Sequence, residues 1–242
     1  MVPGWLHALA IASLCVAVLC AIGIASDVLR HPQPMGIMSV VWPITALFGS
    51  ILAVCAYVRW GAPSARKAAR PSSGGKPGRE QPTPMAIAVA KGSGHCGSAC
   101  TLADVIGEWA TVAAPGILGW FGLGTLFQQE IFAHWVLDYV LAFAIGVAFQ
   151  YFAIVPMRKL RFLPGVWAAI KADTLSLTAW QLGMYGFMAV AHFWIFARLL
   201  GAPLAIASPE FWFMMQIAML CGFATSYPVN WWLVRSGWKE RM

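Results

Sequence analysis

Charge is what this sequence has least of. Only 10% of its 242 residues are charged, with 9 Asp and Glu against 16 Lys and Arg, where ordinary globular chains carry about 25%. Hydrophobic residues make up 60%, and mean hydropathy is +0.71. A soluble fold cannot dispose of that much apolar surface, whereas a bilayer can. Also missing are a Walker loop, a dinucleotide-binding glycine fingerprint, a Gly-x-Ser-x-Gly elbow and any internal repeat. Without an ATP motif, any driving force must come from a gradient or a partner protein. The net charge of +7 does not point to nucleic acid, because the basic residues sit in loops between apolar runs with no basic helix or stacking platform. Anionic lipid headgroups are the expected neighbours.

What is present is a series of long apolar runs. Crossing a hydrocarbon core of ~30 Å takes about 20 residues of helix, and the runs 5–25, 38–58, 99–121, 132–155, 173–198 and 209–234 qualify. The fold class expected is an all-α polytopic membrane bundle of six transmembrane helices. Seven Lys and Arg fall in 59–92, four in 156–171 and three after 234, leaving only Arg30 and Arg198 for the other side. The positive-inside rule then places both termini and both long basic loops in the cytoplasm. The first run lacks the basic front end of a secretory signal and is too long for one, so it is read as a retained helix. Residues 61–92 are rich in Pro, Gly, Ser and basic side chains, the composition of a linker. The chain therefore divides into a two-helix unit (1–60), a cytoplasmic linker (61–92) and a four-helix core (93–242).

Acids inside such spans cost ~2.5–3.5 kcal/mol each even on a lenient insertion scale, so Asp104, Glu108, Glu130, Asp138 and Asp173 demand explanation. Their spacing is informative. Cys96, Cys100, Asp104 and Glu108 recur every four residues and climb one face of a helix, with His95 beside the first; Glu130, His134 and Asp138 repeat the interval in the next span. If the two helices run in opposite directions, the ladders meet near mid-membrane, thiols on the cytoplasmic half and imidazole with carboxylates on the outer half. Asp104, Glu108, Asp138 and Asp173 are the expected path. Soft donors suit Cu(I), and imidazole suits copper or zinc. An outer site of His31, Met35, Met38, His134, Met188 and His192 would be copper-like, and Glu108, Glu130, His134, Asp138, His95, Cys96 and Cys100 complete the candidate ligands. Against this, Met stripes usually pack, Gln216 and Asn230 are natural interhelical hydrogen bonders, and a single Cys-x-x-x-Cys is a weak metal signature. The six cysteines imply no disulfide framework, since reduced thiols are expected on the cytoplasmic side.

The stretches HCGSACTLADVIGEW, KADTLSLTAWQLGMYG and FWFMMQIAMLCGFATSYPVNWW resemble a bacterial multi-pass membrane family catalogued as a domain of unknown function, over about 93–242, with HPQPMGIM as an extension. The resemblance implies a bacterial inner membrane protein. Some family members carry a "copper oxidase" label, although no multicopper-oxidase His-x-His pattern occurs here. The expected function is transport or conduction of a transition-metal ion, copper before zinc, without nucleotide, with a metallochaperone or a second copy as partner. The alternatives are a membrane-embedded metal-dependent oxidoreductase built on the carboxylates and His134, and a non-catalytic accessory subunit whose ladders tie helices together.

Overall fold

The structure is a computed structural model describing residues 2–33, 35–62 and 84–240. It is all-α, with no strand among the described residues. The helices are α1 (Gly4–Arg30), α2 (Met38–Ala56, continued by a π-helical turn Tyr57–Gly61), α3 (Met85–Ala113), the short α4 (Ile117–Trp120), α5 (Glu130–Arg158), α6 (Phe162–Ala189, continued π-helically as Val190–Leu200) and α7 (Pro209–Arg235). Four of these segments, Gly4–Arg30, Met38–Gly61, Glu130–Arg158 and Phe162–Leu200, are long and apolar enough to cross a membrane. Of the stretch 61–92 expected to be a linker, residues 63–83 lie outside the described residues, and 85–92 already form the first turns of α3.

Helix α3 is as long as its neighbours but less apolar, for a reason visible in its surroundings. It packs against α2, α5, α6 and α7, and every residue from Gly92 to Thr101 is buried. Where other helices enclose it, α3 needs no lipid-facing apolar stripe and can carry Ser and Cys; further on it keeps such a stripe in Val105, Ile106, Trp109 and Val112, and Asp104 and Glu108 take the buried face instead. Specific contacts fix the helix directions. Asp138 lies on Gly107 and Phe149 on His95, so α3 and α5 are antiparallel. Asp173 lies on Gly146 and Tyr185 bonds the Trp135 carbonyl, so α5 and α6 are antiparallel. Ser176 bonds Asn230 and Gly183 abuts Thr225, reversing direction again into α7. His7 pairs with Glu210 and Ser13 with Gln216, so α1 runs parallel to α7.

The second expected span is not a straight rod. Trp42 and Tyr57 meet edge to face with centroids 5.4 Å apart, whereas fifteen residues of continuous helix would separate them by about 22 Å. A Cβ on Gly61 would lie 2.7 Å from the Trp42 ring. The chain reverses at Ser50, whose φ of 44° and ψ of −124° lie outside the helical region, a conformation that side chains other than glycine's rarely adopt. Met38–Gly49 and Ile51–Gly61 are thus the two arms of a re-entrant hairpin. Its mouth, Met38, Trp42, Tyr57 and Ala62, packs on Ile24 and Val28 at the end of α1. Its tip reaches inward, where the Leu47 carbonyl accepts from Gln216 Nε2 at 2.7 Å and Phe48 meets Trp180 edge-on at 5.7 Å.

This corrects the expected topology in two respects. Among the described residues five long helices, α1, α3, α5, α6 and α7, run the length of the bundle, and α2 enters and leaves at one end. The described amino-terminal residues therefore lie at the opposite end from the carboxy-terminal ones, not beside them. The end holding the hairpin mouth is also where Arg30, Arg59, Lys91, Arg158, Lys159, Arg161, Lys171, Arg235 and Lys239 gather, leaving Arg198 at the other end among the described residues. We call it the basic end.

Candidate functional site

The ladder on α3 faces the bundle interior. Glu108 is 5% exposed, and Asp104, Cys100 and Cys96 are fully buried. On α5, Asp138 and His134 turn inward at the same level, 1% and 6% exposed. Glycine makes this possible. The Asp138 carboxylate occupies the space that a Cβ on Gly107 would fill, and about two turns further along α5 the Asp173 carboxylate sits in the same way on Gly146. Each acid is received by a neighbouring helix that has no side chain at the point of contact.

At the end opposite the basic one, Glu108 Oε2 and His134 Nδ1 approach to 2.9 Å, close enough for an ion pair but not aligned as a hydrogen bond. Asp138 interacts electrostatically with both Asp104 and Glu108. Among the described residues, neither Asp104 oxygen nor Asp138 Oδ1 has a hydrogen-bond partner. Carboxylates crowded this way in a low dielectric need a cation or a proton. Beside them is a cavity of about 90 Å³, lined among others by Glu108, His134, Asp138, Met184, Met188 and His192. Glu130 stands exposed at its mouth. Its wall is stiffened by Trp135 stacked on Tyr185 at 4.8 Å and by the Tyr185 hydroxyl donating to the Trp135 carbonyl at 2.8 Å.

Of the outer ligands expected from sequence, the structure brings together His134, Met188 and His192. His31, Met35 and Met38 are a correction: they lie at the basic end with the hairpin mouth, where His31 Nδ1 contacts Asp27 Oδ1 at 3.1 Å and Met38 is buried against α1. The cause is the reversal at Ser50, which returns the chain to the end it came from. Among the described residues, no three His, Cys, Asp or Glu side chains already converge as a metal cage.

The basic end of the ladder holds a second cluster. Cys96 Sγ donates to Asp173 Oδ1 at 3.2 Å and lies 2.9 Å from Ser176 Oγ. Ser176 in turn donates to Asn230 Oδ1 at 2.9 Å, and Asn230 Nδ2 donates to Ser93 Oγ at 3.1 Å. Into this network reaches a side chain that sequence reasoning counted only as a loop charge. Lys239, 3% exposed, donates to Asn230 Oδ1 at 2.8 Å, Ser176 Oγ at 3.2 Å and Cys96 Sγ at 3.3 Å. The acids are therefore not without a basic partner: Lys239 and Asp173 interact electrostatically across Cys96. His95 is fully buried one residue from Cys96, turned instead to the Phe149 ring at 5.7 Å. Cys100 lies between the two clusters.

Trp180 also went unremarked in the sequence. Fully buried, it wedges between α3 and α7, where a Cβ on Gly97 or Gly222 would overlap its ring. Glycines one helix away from large or acidic side chains were the available signal.

The fold and this buried acid ladder define a polytopic α-helical membrane protein with a polar interior. Residues 87–239 match the family described as Domain of unknown function (DUF4396), and the chain belongs to it. No curated protein and no solved structure matches the chain.

Proposed function

We propose that this protein moves a transition-metal cation across a bacterial plasma membrane, with copper the preferred cargo and zinc next. The observation that carries the proposal is the cavity where thioethers of Met184 and Met188, imidazoles of His134 and His192, and carboxylates of Glu108 and Asp138 meet. That donor set suits a soft or borderline cation. From there a single buried row, Asp104, Cys100, then Cys96 with Asp173, leads to the basic end. A cargo site must release what it binds, so loosely gathered ligands fit conduction better than a preformed cage would. A resident metal cofactor, as in the oxidoreductase alternative, would call for a converged set.

Orientation follows from charge. With five crossings and a hairpin, nine of the ten Lys and Arg among the described residues fall at the basic end, a cleaner bias than six crossings give. That end is cytoplasmic, the cavity is outward-facing, and the amino terminus is external. A gradient or a metallochaperone supplies direction.

The test is accumulation of Cu(I), Zn(II) and Mn(II) in proteoliposomes. Uptake of Cu(I) above the others, abolished by Glu108→Ala or Asp138→Ala in folded protein, supports the proposal. A folded protein that moves none of the three overturns it.

A further inference from the structure

The Lys239 ammonium has three protons, and the structure offers it three acceptors: Asn230 Oδ1, Ser176 Oγ and Cys96 Sγ. A lysine almost wholly withdrawn from solvent is rare unless paired, and here the nearest acid, Asp173, is reached only across the Cys96 thiol. The cradle is assembled from α3, α6 and α7, so it exists independently of the segment that fills it.

That segment is short and strapped down. After α7 ends at Arg235 the chain turns through Gly237 at φ +74°. Three successive residues are then held by the bundle. Trp238 receives Lys171 over its ring at 4.4 Å from the centroid and packs on Trp232. Lys239 fills the cradle. Glu240 pairs with Arg158 at the end of α5. The outer two contacts are exposed at the rim, and only the middle one is deep.

We propose that the Cys96–Ser176–Asn230 cradle is a cation site, and that Lys239 is its tethered occupant, closing the basic end until an incoming cation displaces it. This rests on the conduction proposal for its physiological cargo, but the site itself does not. The ligand class is a compact cation bearing up to three hydrogen-bond donors, ammonium or a primary alkylammonium, or a soft metal ion that exchanges those hydrogen bonds for the Cys96 sulfur. Displacement needs no redox step: an ammonium simply exchanges hydrogen bonds, and a metal ion forms its bond to Cys96 as the S–H bond breaks, the proton passing to Asp173 Oδ1, to which the thiol already donates. The ammonium leaves for solvent on its four-carbon stem, and the strap pivots at Gly237.

The experiment uses full-length protein with Cys96 as the only cysteine, alkylated from the basic face in inside-out vesicles. Lys239→Ala should speed Cys96 alkylation by about tenfold or more, the scale of a lost charge-assisted hydrogen bond. Millimolar methylammonium should restore protection in Lys239→Ala and do little in the parent. Lys239→Arg, which keeps the charge but not the compact head, should protect less than lysine. Alkylation unchanged by Lys239→Ala, or faster but insensitive to methylammonium, overturns the site. Uptake is scored separately in the cysteine-replete protein. If wild type carries Cu(I) while Cys96 protection is independent of Lys239, the strap fails and conduction stands. If no metal moves but protection follows Lys239 and methylammonium, conduction fails and the cation site stands.

Discussion

Adding one methyl group at Gly107 tests whether the acids are held by design of the helix interface. An alanine Cβ there overlaps Asp138 Oδ1 and touches Leu141 Cδ1 at 3.4 Å. Helix propensity favours alanine over glycine by ~1 kcal/mol, while overpacking a close interface costs ~1–3 kcal/mol. Overlap should win, because the blocked atom is not the end of a long flexible chain and Asp138 is already crowded electrostatically by Asp104 and Glu108. Gly107→Ala should therefore lose up to ~2 kcal/mol net. The control is Gly94→Ala on the same helix, where the added Cβ meets only Thr45 at 3.7 Å, and which should be neutral or slightly stabilising. Asp138→Ala removes the obstructing atoms, so the double variant should cost less than the two singles together, by about 0.5–3 kcal/mol of coupling. Equilibrium unfolding in mixed micelles measures all four. Equal stability for Gly107→Ala and Gly94→Ala, or strict additivity with Asp138→Ala, would refute the interlock.

Other consequences can be checked independently. Tags ahead of Val2 and after the carboxy terminus should become protease-accessible from opposite faces of the membrane; accessibility from the same face rules out five crossings. Ser50→Gly should stabilise the fold by about 1 kcal/mol, because φ 44° suits glycine, and Ser50→Val should destabilise it; the reverse order is incompatible with a turn at Ser50. Met188→Leu or His192→Ala should weaken loading of the outer cavity about tenfold, the usual scale for lost metal ligands or their supports. His31→Ala and Met35→Leu should leave that loading unchanged, since both residues lie at the other end.

How much of this was legible depends on which residues are considered. The long helices followed from the length of the apolar runs, and the ladder 96-100-104-108 with His134 and Asp138 followed from four-residue spacing, because a lone helix already determines which side chains share its face; Glu130 shares the spacing but stands exposed. What spacing could not supply was the partner across the interface. Gly107 and Gly146 look like incidental small residues until the carboxylates they receive are in place. Lys239 was hidden for the opposite reason: its charge fitted the loop count so well that no deeper role was asked of it. The hairpin was missed because run 38–58 has the length and hydropathy of a span, and those properties report solvent preference, not straightness. Its signals were Pro43 and the adjacent Gly49 and Ser50 in mid-run, the kind of pair at which helices bend sharply.

The hairpin also explains how a polar helix can sit in the middle of a bundle with so few full-length helices. Three full-length neighbours, α5, α6 and α7, would leave one flank of α3 open. The first arm of α2 covers that flank, with Thr45 and Ser98 sharing a hydrogen bond at 3.0 Å and Ser98 also donating to the Val41 carbonyl at 3.0 Å. Those bonds satisfy α3's polar groups against lipid, where each unsatisfied group would cost several kcal/mol. A full sixth span in that place would continue past Ser50 toward the acid-lined cavity. A hairpin stops at mid-bundle and leaves the far end to α5, α6 and α7, whose Met and His side chains line it. Lateral closure at the basic half and an open outer half thus come from one reversed turn, so that a variant straightening α2 should impair cation access and not only stability. Inserting a helical turn in place of Ser50, for example Ser50→Ala-Ala-Ala-Ala, tests this. Loss of outer-cavity loading in protein that still inserts and folds is the expected result, and unchanged loading would separate the hairpin from the cavity altogether.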